Sequence, residues 1–164
     1  MKKNPLLYFI FPILNLISFF ASQETVAQSI PPFKIMLSDN KIFKGSDVPK
    51  GKPMVLIYFD PECDHCQKLM DELFKNIDNF KRAEIVMVTY KPVIELTAFE
   101  KKYNTQKYTN IKVGTEGTAF YLRKYYGLVI MPFTALYDKE GNLNYSYKSG
   151  TPVPDLVGRL KKLK

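Results

Sequence analysis

The chain has no tryptophan, one histidine and two cysteines among its 164 residues. A tetrahedral zinc site needs about four ligands, so Cys63, His65 and Cys66 cannot complete one by themselves. The sequence also lacks a Ser-His-acid or paired-carboxylate arrangement, so hydrolytic chemistry has no support. No cysteine lies near the end of the N-terminal apolar run, so we expect no lipid-anchored start. The chemistry of the chain is therefore expected to depend on its two thiols.

A concentrated charge pattern is missing as well. Lys and Arg number 24 against 16 Asp and Glu, a formal net charge of +8, but the cations are scattered apart from a small terminal cluster, "GRLKKLK". Nucleic-acid binding would require a basic stripe or a recognised motif, so we expect no nucleic-acid partner. The glycines of "VGTEGTA" lack the spacing of a phosphate-binding loop, and we expect no cofactor. We interpret the charge as a solvated surface, with weak attraction to anionic membranes or envelope polymers as the alternative.

The N-terminal region has the order of a secretory signal. Two lysines precede an apolar run over residues 6–20, and the polar stretch "ASQETVAQS" follows. We therefore predict a signal peptide over 1–27. The run of 15 residues is shorter than the roughly 20 that span a bilayer, and an uncleaved membrane anchor is the alternative. Residues 28–33 are then a short tether and 34–164 a single domain.

The remaining pattern predicts the element order β-β-β-α-β-α-(α)-β-β-α. "KPMVLIYFD" and "AEIVMVTY" have the length and composition of buried strands, and apolar residues recur at helical spacing from Asp64 onward. Residues 103–117 are expected to form mostly loop, with a short strand at 111–113. "LVIMPFTALYD" and "LNYSYKS" predict a late hairpin, followed by a terminal helix. Together these elements predict an α/β domain with a mixed sheet and helices on both faces.

The motif Cys63-Asp64-His65-Cys66 lies where a buried strand ends and a helix begins. The first helical turn offers unpaired N–H groups and the positive end of the helix dipole, which would stabilise a thiolate at Cys63. Cys66, one turn further on, is expected to be within bonding reach but more buried. The pair thus provides an attacking thiol and a resolving thiol for thiol–disulfide exchange.

Three other interpretations of the motif stay open. One is a zinc site, which is disfavoured because two cysteines and the histidine between them cannot complete a tetrahedron. A second is a structural staple, which would contribute little because the loop it closes is so short. The third is copper delivery, with Met131 as the distant ligand.

These features resemble the thioredoxin fold and, within it, the exported thioredoxin-like thiol–disulfide oxidoreductases of the peroxiredoxin-like and cytochrome-maturation-type branch. The resemblance covers about residues 33–164, with a β extension at its N-terminal side. It rests on the strand before C-x-x-C, the helix after it, and Met131-Pro132 before a strand ending "LYDKEGN". It implies that Pro132 is cis and packs beside the cysteines, and that Met131 offers backbone groups to the substrate. The alternative for Pro132 is an ordinary edge-strand proline.

Two positions depart from that resemblance. Glu62 stands where the family often has a tryptophan before the first cysteine. Ile57 stands where thioredoxin has a buried acid that helps proton transfer to the resolving cysteine. The proton path is therefore expected to differ, through Glu62, Asp60 or water.

The residues around the cysteines have opposing effects on the thiolate. A protonated His65 would stabilise it and make the disulfide more oxidising, whereas Asp64 would repel it. The local count is three acids, with Asp60 and Glu62, against His65 and Lys68. This balance favours a reductase or an exchanger of intermediate potential, with a disulfide oxidase or isomerase as the alternative.

The sequence thus predicts a periplasmic or otherwise extracytoplasmic enzyme. Cys63 and Cys66 are its catalytic pair, Glu62, Asp64 and His65 tune it, and no metal is expected. Its predicted partners are disulfide-containing client proteins and a membrane-bound electron donor. The alternative from another class is a non-catalytic thioredoxin-fold metal carrier or adaptor.

Overall fold

The structure is a computed structural model and describes residues 28–163. The predicted signal segment, 1–27, lies outside the described residues. Within 28–163, no helix is long and apolar enough to cross a membrane.

The described residues form one sheet of seven strands with four α-helices. The strands are β1 Lys34–Leu37, β2 Ile42–Lys44, β3 Met54–Tyr58, β4 Glu84–Thr89, β5 Ile111–Thr115, β6 Phe133–Tyr137 and β7 Leu143–Tyr147. The helices are α1 Asp64–Lys75, α2 Val93–Tyr103, α3 Tyr121–Tyr125 and α4 Val153–Lys162.

The strand order across the sheet is β2-β1-β5-β4-β3-β6-β7. Strands β3, β4 and β5 are parallel, and the remaining pairs are antiparallel. The predicted mixed sheet is confirmed. The connections through α1 and α2 lie on the same face of the sheet, as right-handed parallel crossovers require.

The apolar side chains of β3 contribute to the hydrophobic cores on both faces of the sheet. All five of its residues are buried, and successive side chains point to opposite faces. Val55 and Ile57 join a core cluster with α1, α2 and α4, whereas Leu56 and Tyr58 join a second cluster with the N-terminal strands and α3. Helices therefore cover both faces, as predicted, but three of the four lie on one of them.

The predicted element order is wrong by one strand, because it did not count β5. The short strand expected at 111–113 is present and extends to Thr115, between β4 and β1. Ile111 and Val113 pack into the helical face, and Gly114 lets the side chain of Ile35 approach its backbone. Two apolar residues and a glycine give a weak local strand signal, so the neighbouring strands decide this element.

The predicted strand over 128–138 is also shorter than expected. Strand β6 begins at Phe133, after the cis peptide bond between Met131 and Pro132. Pro132 has no N–H to donate to a neighbouring strand, so pairing starts after it. The residues before it are open to solvent, with Val129 86% and Ile130 60% exposed.

Candidate functional site

The two cysteines lie at the carboxyl end of the central strand. After β3, a tight turn leads into α1, in which the Asp60 side chain accepts the Glu62 N–H at 2.9 Å. The Cys63 N–H donates to the Asp60 carbonyl at 3.1 Å, and the Cys63 carbonyl accepts the Gln67 N–H at 2.9 Å. Cys63 is thus the residue that precedes the first turn of α1, as its place in the sequence predicts.

The cysteines differ in accessibility. Both are free thiols, with Cys63 half-buried and Cys66 only 1% exposed. Burial raises the pKa of Cys66 to about 12, against a weaker opposing effect of the Asp60 N–H, which donates to its sulfur at 3.4 Å. Cys66 is therefore a protonated thiol at neutral pH, which leaves Cys63 as the accessible sulfur. This geometry agrees with the predicted attacking and resolving thiols.

The residues between the cysteines project outward. Asp64 and His65 are both exposed on the first turn of α1. Neither side chain makes a hydrogen bond to any residue within 28–163. They can therefore act on the cysteines through charge only, across a solvated surface where such effects are weak.

A cluster of polar side chains, which we call the Asp60 cluster, borders the motif. It consists of Asp60, Glu62, Tyr90 and Lys91. The Tyr90 hydroxyl donates to Asp60 Oδ2 at 2.6 Å. Lys91 Nζ hydrogen-bonds the Glu62 carboxylate and lies 3.8 Å from Asp60 Oδ1. Two of the three acids counted beside the cysteines are therefore compensated by a lysine from the end of β4.

Sequence reasoning missed Tyr90 and Lys91. They follow β4, about thirty positions from the motif, and only the parallel pairing of β3 with β4 brings them to it. The signal that could have found them is "VTYKP", because polar residues directly after a buried parallel strand meet the same sheet edge as the motif.

The segment around α3 is fixed to the back of this site by a buried carboxylate. Glu116 is 8% exposed and accepts the Tyr58 hydroxyl at 2.7 Å and the Leu122 N–H at 2.7 Å. The guanidinium of Arg123 lies 5.8 Å from the ring centre of Tyr90. The α3 segment is thereby connected to the Asp60 cluster through Tyr90.

The proline implied by the resemblance is cis. Pro132 is buried, and Met131 is half-buried against both core clusters, the first of which also packs against Cys63. The exposed residues Val129 and Ile130 directly precede this pair. They extend an apolar surface outward from the predicted substrate-facing residue.

The structure shows which of the other proposed groups could contribute. Ile57 is fully buried in the core. The position at which thioredoxin has a buried acid is therefore apolar in this protein. Within 28–163, no three His, Cys, Asp or Glu side chains gather as a metal-binding group.

Comparison with known families and structures agrees with this architecture. The sequence model of the AhpC/TSA family matches residues 26–157. No curated protein matches the chain.

Three solved structures illustrate the likeness of fold. A secreted disulfide oxidoreductase of Mycobacterium tuberculosis, homologous to DsbE of Escherichia coli, is 20% identical with a TM-score of 0.67, covering 80% of this chain and 96% of its own. A thiol–disulfide oxidoreductase of Bacteroides fragilis is 17% identical with a TM-score of 0.68, covering 84% and 100%. A peroxiredoxin-like protein of Aquifex aeolicus is 15% identical with a TM-score of 0.68, covering 84% and 86%. At such identities the likeness establishes the fold, and the predicted thioredoxin fold is confirmed.

Proposed function

The chain belongs to the AhpC/TSA family, and from that premise we propose that it is an exported thiol–disulfide oxidoreductase that reduces disulfides of envelope proteins. The enzyme class agrees with its relatives of the thioredoxin fold, which include thiol–disulfide oxidoreductases and a peroxiredoxin-like protein. The observation that carries the proposal is the pairing of an accessible Cys63 with a buried, protonated Cys66 at the start of α1. The secreted disulfide oxidoreductase of Mycobacterium tuberculosis among its structural relatives supports an extracytoplasmic location.

The reaction has two steps. The Cys63 thiolate attacks one sulfur of a client disulfide, so that a Cys63–client disulfide forms and the other client sulfur leaves as a thiolate. The Cys66 thiol then loses its proton and attacks the Cys63 sulfur. The Cys63–Cys66 disulfide forms, and the second client sulfur is released. Two electrons pass to the client, and a membrane-bound dithiol donor would return the pair to its reduced form.

The Asp60 cluster supplies an acceptor for the Cys66 proton. Asp60 touches the Cys66 sulfur through its N–H, and its carboxylate is kept 15% exposed by Tyr90 and Lys91. Glu62 is exposed and hydrogen-bonded to Lys91, which makes it the less suitable of the two acids. Its backbone contact with Cys66 makes Asp60, rather than Glu62, the acid that we propose to accept this proton, directly or through water.

The exposed surface before the cis-proline supports a polypeptide client rather than a small thiol. Met131, with Val129 and Ile130 before it, offers an extended chain both backbone groups and apolar contacts. Predicted clients are unfolded or extended segments that carry a disulfide.

Trapping the first intermediate tests the mechanism. In Cys66→Ser the second step cannot occur, so mixed disulfides with client proteins should accumulate and disappear on reduction. Cys63→Ser/Cys66→Ser, which lacks both thiols, is the matched control. Adducts that form equally in the control, or that never form in Cys66→Ser, would contradict the proposal.

The direction of transfer is tested by the reduction potential of the Cys63–Cys66 pair, equilibrated against glutathione and dithiothreitol. A value near that of thioredoxin, about −270 mV, supports the reductase. A value near about −120 mV supports the oxidase alternative. The position of Lys91 favours this alternative, because Lys91 compensates Asp60 and Glu62, two of the acids that would otherwise destabilise a thiolate.

A further inference from the structure

A concave site at the other end of the sheet is lined by five cations, and we call it the basic pocket. The cations are Lys52, Lys81, Arg82, Lys139 and Lys161. Among the described residues 28–163, no Asp or Glu side chain lines it. Lys81 pairs with Asp78 at 2.8 Å and Lys139 lies 3.9 Å from Glu140, whereas the other three cations have no ion-pair partner within residues 28–163. Such convergence of positive charge is unfavourable unless an anion or solvent compensates it.

The topology places the basic pocket opposite the cysteines. Lys52 precedes β3, Arg82 precedes β4, and Lys139 follows the antiparallel strand β6. All three therefore lie at the amino end of the central parallel strands, whereas Cys63 follows the carboxyl end of β3. Five residues of strand separate the two ends by about 16 Å.

The described chain also begins at this end. The Ile30 N–H donates to the Gly141 carbonyl at 3.0 Å, and the Leu143 N–H donates to the Gln28 carbonyl at 2.7 Å. These bonds hold residues 28–30 against the turn that carries Lys139. In the sequence, seven residues, 21–27, separate the apolar run at 6–20 from the described chain, whose first residues lie beside the basic pocket.

We propose that the basic pocket rests on the phosphate headgroups of an anionic membrane. Of its apolar lining residues, Pro53 and Leu160 are buried and Leu163 is half-buried, so the five cations supply the contact, and positive charge of this density matches anionic headgroups. In its alternative role as an uncleaved anchor, the apolar N-terminal run would enter the domain beside this pocket, which favours lipid over an acidic protein. In this orientation the cysteines face away from the membrane, where clients reach them. The inference does not rest on the redox function.

Vesicle binding by the full chain tests the proposal. Flotation is measured with phosphatidylcholine vesicles and with vesicles that also contain phosphatidylglycerol, at low and high salt. The variant Lys52→Gln/Arg82→Gln/Lys161→Gln removes the three unpaired cations. The matched control, Lys101→Gln/Lys124→Gln/Lys148→Gln, removes three exposed cations outside the pocket. Contributions of the N-terminal run are the same in every protein and cancel in the comparison.

We expect the pocket variant to lose about 100-fold in affinity for the anionic vesicles, at roughly fivefold per cation, and the control to lose far less. Hydrogen exchange on these vesicles should slow at 50–53, 79–82 and 160–163 and stay unchanged at 63–66. Equal losses in the two variants would show an effect of net charge alone and overturn the proposal. The proposal would also be overturned if amide hydrogen exchange in the pocket slowed with inorganic phosphate but not with vesicles, because this would identify a site for a free anion. Disulfide reduction by the same variants should be unchanged, so a failure here is distinguishable from a failure of the redox mechanism.

Discussion

The buried thiol of Cys66 gives the most direct quantitative prediction. Burial raises its pKa to about 12, whereas an ordinary cysteine has a pKa of about 8.5. At pH 7.4 these values correspond to thiolate fractions that differ by about 3000-fold. In Cys63→Ser, which leaves Cys66 as the only thiol, burial remains the main cause of the raised pKa, and alkylation by iodoacetamide in the folded state should be slower than in denaturant by a factor on the order of 1000.

The pH profile separates ionisation from simple steric protection. We expect the folded alkylation rate of Cys63→Ser to keep rising with pH beyond the point where the denatured rate levels off, and the ultraviolet thiolate absorbance to show the same displacement. The folded state holds the Cys66 proton more tightly than the unfolded state. The contribution of this group to the unfolding free energy therefore falls as pH rises from about 8.5 toward the folded pKa. A folded titration midpoint within about one unit of 8.5 would refute the reasoning, because nearby donors would then outweigh burial.

Three further predictions concern the charge beside the cysteines, the packing of β5 and the surface before Pro132. Lys91→Met should make the reduction potential of the Cys63–Cys66 pair more negative by on the order of 30 mV, a tenfold change in the equilibrium constant, because Asp60 and Glu62 would then be uncompensated and would disfavour the thiolate. The control Lys101→Met should leave the potential unchanged, and equal potentials for the wild type and both variants would contradict this electrostatic role. Gly114→Ala should lower the unfolding free energy by about 1–3 kcal/mol, since its methyl would lie 2.7 Å from a side-chain carbon of Ile35 in β1. The control Gly158→Ala in α4 would meet nothing within 4 Å and should be neutral or stabilising, so equal effects of the two variants in denaturant titration would contradict the packing argument. Val129→Ser should lower the rate of reduction of a disulfide in an unfolded protein about three- to tenfold without changing the rate with oxidised glutathione. Equal losses of rate on both substrates would show that Val129 does not bind clients.

Much of the central architecture could be predicted because its local signals are strong. The five buried residues of β3 and the apolar stripe of α1 have lengths and spacings that few other structures accommodate. The position of Cys63 before the first turn of α1 follows from the same pattern. The greater burial of Cys66 follows too, because it lies one turn further along the buried side of that helix.

The strand β5 and the segment before Pro132 could not be predicted to their full extent. Strand β5 has only two inward apolar residues, and its pairing with β4 and β1 supplies what the local sequence lacks. The apolar residues Val129 and Ile130 match the pattern of a strand but are exposed, because pairing with the neighbouring strands of the sheet begins only after Pro132. In both cases the outcome depends on neighbours that are distant in sequence.

The sequence by itself determined the C-x-x-C motif, its place between strand and helix, and the mixed α/β order around it, because periodicity and spacing are local properties of the chain. Only the tertiary structure decided the charge around the motif, since Tyr90 and Lys91 reach Asp60 and Glu62 through the pairing of two strands. It alone also decided the basic pocket, whose five cations come from four separate segments and look scattered when read along the chain. Charge acts through space, so its effect is fixed only when the fold has set the distances between groups.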